Sequence, residues 1–205
     1  MSRSLPHRPV GAGVVVADAA DADRVFDVLT LAFAADPPNR WMYPDAAAYI
    51  RHFPSFARGL GGAALPHGTA FRDKDCAAVA LWLGPGIAPD EAALMALFEA
   101  TLPPDRRADL AAVIHAMEGC HPREPHWYLP FIGVDPARQG TGLGAALLQP
   151  VLAACDAARL PAYLESTNPR NQRFYERHGF RAVGEIRVGA CPPVVPMLRR
   201  PGAPR

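Results

Sequence analysis

The chain has 205 residues, 50% hydrophobic and 20% charged, with a formal charge of +1. That balance excludes a disordered or low-complexity protein, and the near-neutral sum gives no electrostatic drive towards nucleic acid or an anionic membrane. The length suits one domain able to bury its own core.

In chain order, residues 1–9 read as a flexible tail, 10–200 as one domain and 201–205 as a second tail. Val10–Ala17 is short and β-branched, which predicts a first strand. "DAADADRVFDVLTLAFAAD" follows, with Asp18 or Asp21 as cap and Val25, Leu29 and Phe33 at helical spacing, and Pro37 and Pro38 are expected to end it. "DAAAYIRHFPSFARGLGG" predicts a second helix interrupted at Pro54. "HGTAFRD" and "AAVALWLGP" predict two strands around a turn at Asp73–Asp75. "DEAALMALFEA" and "DRRADLAAVIHAMEGC" predict two helices separated by Pro103 and Pro104. "HWYLPFIGV" reads as a strand. "GLGAALLQPVLAACDAARL" reads as a helix kinked at Pro150, "AYLEST" as a strand and "PRNQRFYERHG" as a short helix. "FRAVGEIRVG" and "VVPMLRR" close the chain as strands. The apolar faces of "AAAYIRHF" and "AALMALFEA" are read as core.

Cys76, Cys120, Cys155 and Cys191 stand far apart, with neither a C-x-x-C pair nor zinc-site spacing. They are read as reduced core thiols, and no metal is expected. The N-terminus lacks a signal-peptide core, and no apolar run approaches the ~20 residues of a membrane span. The expectation is a cytoplasmic protein with no membrane and no nucleic-acid partner.

The chemistry concentrates in "GVDPARQGTGLG", Gly133–Gly144. No lysine follows its glycines, so it is not a Walker A loop. Gly140-x-Gly142-x-Gly144 is one residue short of the dinucleotide fingerprint, and too little chain follows for a doubly wound sheet. Glycines do let backbone N–H groups crowd one side of a turn, and a helix N-terminus beyond adds unpaired amides and a positive dipole end. Such a nest suits a diphosphate, with Arg138 adding charge at the rim. A plain strand-to-helix turn is the alternative.

Gln139-x-x-Gly142-x-Gly144 after "VDPAR" resembles the coenzyme A loop of the Gcn5-related N-acetyltransferases (GNAT). "STNPRNQRFYERHGF", Ser166–Phe180, resembles a later segment of the same family: an Asn at a helix start, a Tyr seven residues on, then Gly-Phe. With "HPREPHWYL" and "YLEST" the likeness extends to puromycin N-acetyltransferase and its relatives. Asn171 departs from the family, which usually has a small residue there. Pro130 falls where the family has a bulge and splayed strands, and marks either that gap or a shorter strand.

The resemblance implies a mixed α/β (α+β) fold: a central, mostly antiparallel sheet of six to seven strands, with a splay between the two central parallel strands and helices on both faces. It implies acetyl-CoA as co-substrate, held by Ile132, Gly133, Val134, Arg138, Gln139, Gly140, Thr141, Gly142, Leu143, Gly144, Asn168, Asn171 and Tyr175. A small-molecule primary amine would attack the thioester directly in a ternary complex, so neither Cys120 nor Cys155 is needed as a nucleophile. Tyr175 is the expected acid for the leaving thiolate, because a phenol stays protonated at neutral pH. Glu124 and His126 are candidate bases. Trp41, Tyr43, Trp82, Trp127, Tyr128 and Glu165 are candidate acceptor-binding residues. His115, His121 and His178 are read as structural or surface residues. A monomer or homodimer is expected. A catalytically idle acyl-CoA-binding module, or a protein or peptide N-acetyltransferase, is the rival reading.

Overall fold

The computed structural model describes residues 13–202. The tail read over 1–9, the first residues of the first predicted strand and most of the tail read over 201–205 lie outside them. Seven strands form one sheet: β1 (Val14–Val16), β2 (Ala70–Asp73), β3 (Ala78–Leu83), β4 (Trp127–Val134), β5 (Ala162–Ser166), β6 (Arg181–Ala182) and β7 (Val195–Arg199), in the order β1-β2-β3-β4-β5-β7-β6. All neighbours are antiparallel except β4 and β5. Those two pair only at Trp127 with Ala162 and Tyr128 with Tyr163. Pro130 comes two residues past the last pair and has no N–H to continue the ladder. The strands therefore separate there and leave a gap open towards Val134.

Opposite β3, Leu81 faces Phe131 but Leu83 faces Tyr128, so β4 carries one extra residue, a β-bulge. The bulge turns Tyr128 and Phe131 to the same face, although they are three apart. There they join Leu29, Phe53, Leu81 and Tyr163 in one core. Trp82, Trp127, Leu129, Leu147, Val151 and Phe180 form the core on the other face.

The helices are α1 (Ala22–Ala32), α2 (Pro37–Met42), α3 (Ala46–Gly61), α4 (Glu91–Thr101), α5 (Pro104–Glu118), α6 (Leu143–Ala158) and α7 (Pro169–Arg177). Aspartates start three of them: Asp36, Asp45 and Asp90 accept from the amides of Asn39, Ala48 and Ala93. Three expectations change. Pro37 and Pro38 begin α2 rather than only ending α1, since a first-turn proline sacrifices no helical hydrogen bond. Pro54 lies inside a continuous α3; it strips the Ile50 carbonyl of its donor, and Ile50 is exposed, where water can replace it. The strand predicted over 180–189 shrinks to Arg181–Ala182 plus a bridge between Ile186 and Val194. Pro192 and Pro193, without amide donors, follow the turn at Gly189 and Cys191.

Candidate active site

The gap between β4 and β5 joins two structures: a glycine turn at its open end and a cavity on the first-core face. Asp135 N donates to Ala77 O, so ladder alternation places the amides of Ile132 and Val134 on the edge facing the gap. Beyond β4, Asp135 accepts from Ala137 N and starts a short 3₁₀ turn. Gln139 Nε2 lies 3.3 Å from Val134 O, and Thr141 Oγ1 donates to Arg138 O at 2.7 Å. Those side chains fold back on the turn and leave its backbone outward. Gly140 and Gly142 have φ of +78° and +88°, with open space where a Cβ would stand. The amides of Gln139, Gly140, Thr141 and Gly142 have no acceptor among the described residues. Gly142 is the N-cap of the sixteen-residue α6, with no side-chain cap, so the first helical amides are unfilled too. Exposed donors converging on one helix start fit a diphosphate. Arg138 is 3.8 Å from Asp75, a loose exposed pair free to exchange for such a ligand.

Two glycines of the stretch serve packing. A Cβ on Gly133 would stand 2.9 Å from Ala32 Cβ and 3.0 Å from Leu29 Cδ2 of α1. A Cβ on Gly144 would meet Phe174 of α7 at 3.3 Å, and Leu143 packs against the second core. Asn168 caps α7, its side chain accepting from Arg170 N, and is not among the cavity residues, whereas Asn171 is.

The cavity holds about 740 Å³ between the sheet and helices α2 to α5. Its wall is mostly apolar and includes Trp41, Met42, Phe56, Phe98, Met117 and Phe131. Ile132, Glu165, Thr167, Asn171 and Tyr175 also line it, so it reaches the gap. Tyr175 is buried; burial first and then the Asp36 carboxylate push its phenol up, so it keeps its proton at neutral pH.

Of the other aromatic candidates, Tyr128 lines the cavity. Tyr43 is core, its hydroxyl 2.8 Å from Thr101 Oγ1. Trp82 and Trp127 pack against the opposite face of the sheet. Of the candidate bases, Glu124 is at the rim, where its own backbone amide and then its Arg200 partner hold its carboxyl below the usual range. His126 lines the cavity and contacts His121. Cys155 is buried, its thiol pushed up to about 12 by burial, and it is not a cavity residue.

Two residues outside the sequence-derived set stand out. Asp36 is 5% exposed, and accepts from Asn39 N, Asn39 Nδ2 and the Thr167 hydroxyl. Burial, its leading influence, pushes its carboxyl up against those hydrogen bonds. It ties α2 to the end of β5 beside Tyr175. His121 lies on the loop from α5 to β4, with Nε2 3.1 Å from Glu165 Oε1. The Asp36-Pro37-Pro38 run carries a helix-start signal. Nothing local to His121 marks it, because its partners are distant in sequence.

Residues 84–180 match the acetyltransferase (GNAT) family. An uncharacterised N-acetyltransferase of Schizosaccharomyces pombe is 36% identical over 83 residues, covering 38% of this chain and 34% of that protein. The 5-NmdU N-acetyltransferase of Pseudomonas phage PaMx11 is 36% identical over 63 residues, covering 31% of this chain and 45% of that protein. The chain thus spans less than half the length of these curated relatives. A solved structure described as histone acetyltransferase HPA2 and related acetyltransferase, from Corynebacterium glutamicum, aligns with a TM-score of 0.61 at 28% identity, over 94% of this chain and 97% of that one. The Drosophila melanogaster polyamine N-acetyltransferase, described as forming N-acetylagmatine, shares the fold at a TM-score of 0.64 and 16% identity, over 91% and 98%. The fold is the GNAT fold, and the family match supports a place in the GNAT superfamily. The matched segment contains β4, the glycine turn and the Asn168–Phe180 run. Among the described residues no group of three or more His, Cys, Asp or Glu could hold a metal, and no helix is long and apolar enough to cross a membrane.

Proposed function

We propose that the protein is an acetyl-CoA-dependent N-acetyltransferase acting on a primary amine of a small molecule with a bulky apolar body. One observation carries this reading: β4 and β5 stop pairing after Tyr128 and Tyr163, so unpaired backbone runs from the glycine turn to a large aromatic cavity. Acetyl-CoA supplies the activated acyl group when bound. The amides of 139–142 and the start of α6 hold its diphosphate, and Arg138 adds charge at the rim. The edge of Ile132 to Val134 offers strand-like pairing in the gap, and an amide there stabilises the oxyanion that develops during attack.

The acceptor enters from the cavity, where Trp41, Phe56 and Phe98 cover an apolar body. No enzyme nucleophile is required, which agrees with Cys155 being buried and strongly protonated. Tyr175 donates to the departing sulfur. Its raised phenol and a thiolate desolvated in the same apolar gap shift in the same direction, so proton transfer between them stays feasible. Tyr175→Phe is expected to lower kcat on the order of tenfold to 10²-fold with the KM for acetyl-CoA unchanged. Equal kcat under rate-limiting chemistry would remove that role.

The likeness to the puromycin N-acetyltransferase group is part of this proposal, as is the apolar acceptor. The test is thiol release from acetyl-CoA over arylalkylamines, aminonucleosides, aminoglycosides, polyamines, amino acids and peptides. Release with amines carrying aromatic or bulky apolar groups is expected to exceed release with polyamines. Coenzyme binding without thiol release from any amine would favour an idle acyl-CoA-binding module, and a preference for peptides would favour a protein acceptor.

A further inference from the structure

The acceptor amine arrives as an ammonium ion and must lose a proton before attack. A linked set of side chains at the closed end of the gap has the arrangement to take it. His126 Nδ1 is 2.9 Å from the Glu124 carbonyl oxygen, which only accepts, so Nδ1 carries hydrogen. His126 Nε2 therefore presents a lone pair in the neutral ring. It lies 3.2 Å from His121 Nδ1, which donates to it. The remaining nitrogen, His121 Nε2, stands 3.1 Å from Glu165 Oε1, on a side chain only 3% exposed. In a neutral chain that nitrogen turns a lone pair towards a carboxylate. One added proton removes the conflict and lets His121 donate at both ends.

The contact is close but not well aligned. Glu165 Oε1 and the neighbouring Tyr163 hydroxyl have no well-aligned hydrogen bond among the described residues. A buried carboxylate oxygen with spare acceptor capacity inside a cavity suits a cationic donor. The groups facing His121 are Tyr128 of β4, Tyr163 and Glu165 of β5, and Cys120 and His126 of its own loop, with the Glu124–Arg200 pair farther out. Burial, and then the Glu165 carboxylate, push both tyrosine phenols up, so neither competes as a proton acceptor at neutral pH.

We infer that Glu165 docks the acceptor's ammonium group and that His121, oriented by His126, removes one of its protons. This rests on the acetyltransferase reading and deepens it by naming the base. One N–H bond of the ammonium breaks, its electron pair stays on nitrogen, and the proton goes to His121 Nε2. The positive charge moves to the imidazole, beside the Glu165 carboxylate. After attack a second N–H proton leaves the nitrogen and the sulfur gains one, so the transfer releases one proton overall. That proton passes from His121 to water, since its side chain is 29% exposed. Glu165 and His121 touch the substrate; His126 is a positioning residue.

The test joins kinetics to imidazole ¹⁵N NMR. With the best amine of the thiol-release panel, Glu165→Gln and His121→Asn should each lower kcat/KM on the order of 10²-fold at neutral pH. The KM for acetyl-CoA should hold, and the deficit should narrow as pH rises and the amine sheds its own proton. Added imidazole should partly restore His121→Ala, and His126→Asn should change the pH profile more than the amine KM. In the wild type, NMR should show hydrogen on Nδ1 of both His126 and His121, and Glu165→Gln should perturb the His121 ring. Folded variants with wild-type kcat/KM and pH profile, or His126 with hydrogen on Nε2 in place of Nδ1, would overturn the relay. If the wild type releases no thiol with any amine, the acetyltransferase reading fails and the base assignment falls with it. An active wild type with an indifferent His121→Asn overturns the relay alone.

Discussion

A missing side chain at Gly133 and a buried carboxyl at Asp36 hold the two sides of the gap. Gly133 lets α1 lie against β4. Gly133→Ala would press a methyl against Ala32 Cβ, 2.9 Å away, and Leu29 Cδ2, 3.0 Å away, both anchored on a packed helix. We expect a loss of about 1–3 kcal/mol in chemical denaturation; an unchanged stability would show that α1 is free to move off the strand. Asp36 tests burial through pH. Its carboxyl is raised above the ordinary 3.8, so the folded protein holds that proton more tightly than the unfolded chain does. The stability this group contributes is fully present below that ordinary value and is lost as pH climbs through the raised one. Asp36→Asn has no such proton to lose. The stability of wild type relative to Asp36→Asn should therefore fall as pH climbs from about 4 through the raised value in urea denaturation. A relative gain over that interval would contradict the burial effect.

At the level of elements, the turn between β4 and α6 is the part that must stay bare. Gly142 has φ of +88°, and nothing lies within 4 Å of its missing Cβ. Gly142→Val would strain the backbone by about 1–2 kcal/mol and place a branched side chain over the amide nest. We expect acetyl-CoA affinity to fall by roughly tenfold or more with the variant still folded; wild-type affinity in calorimetry would detach the coenzyme from this turn. The turn was legible because glycines, a preceding apolar strand and a following helix are adjacent in the chain. The Asn168–Phe180 run was legible for the same reason. Tyr43, at the end of α2, is drawn into the core with its hydroxyl on Thr101, while Trp82 and Trp127 fall away from the cavity because residue type cannot say which face of a sheet a side chain takes. Strand alternation and the bulge at Pro130 decide that, and the bulge changes the alternation midway along β4. His121 was read as a structural or surface residue because Glu165 and Tyr163 reach it only through the parallel pairing of β4 and β5.

Taken whole, the molecule is a sheet whose middle pair of strands comes apart, with one core on each face to hold it open. Antiparallel neighbours pin β4 and β5 on their outer edges, so the inner edges stay unpaired without unravelling the sheet. Helices α2 to α5 roof the acceptor cavity on one face, and α6 presents its uncapped start at the far end of the gap. The central claim is that this opening aligns a diphosphate on the turn with a thioester at the cavity. A crystal structure of the protein with acetyl-CoA tests it most directly. The account predicts diphosphate oxygens about 3 Å from the amides of 139–144, and the pantetheine arm along Ile132 to Val134. Coenzyme bound elsewhere, with those amides facing only water, would contradict it.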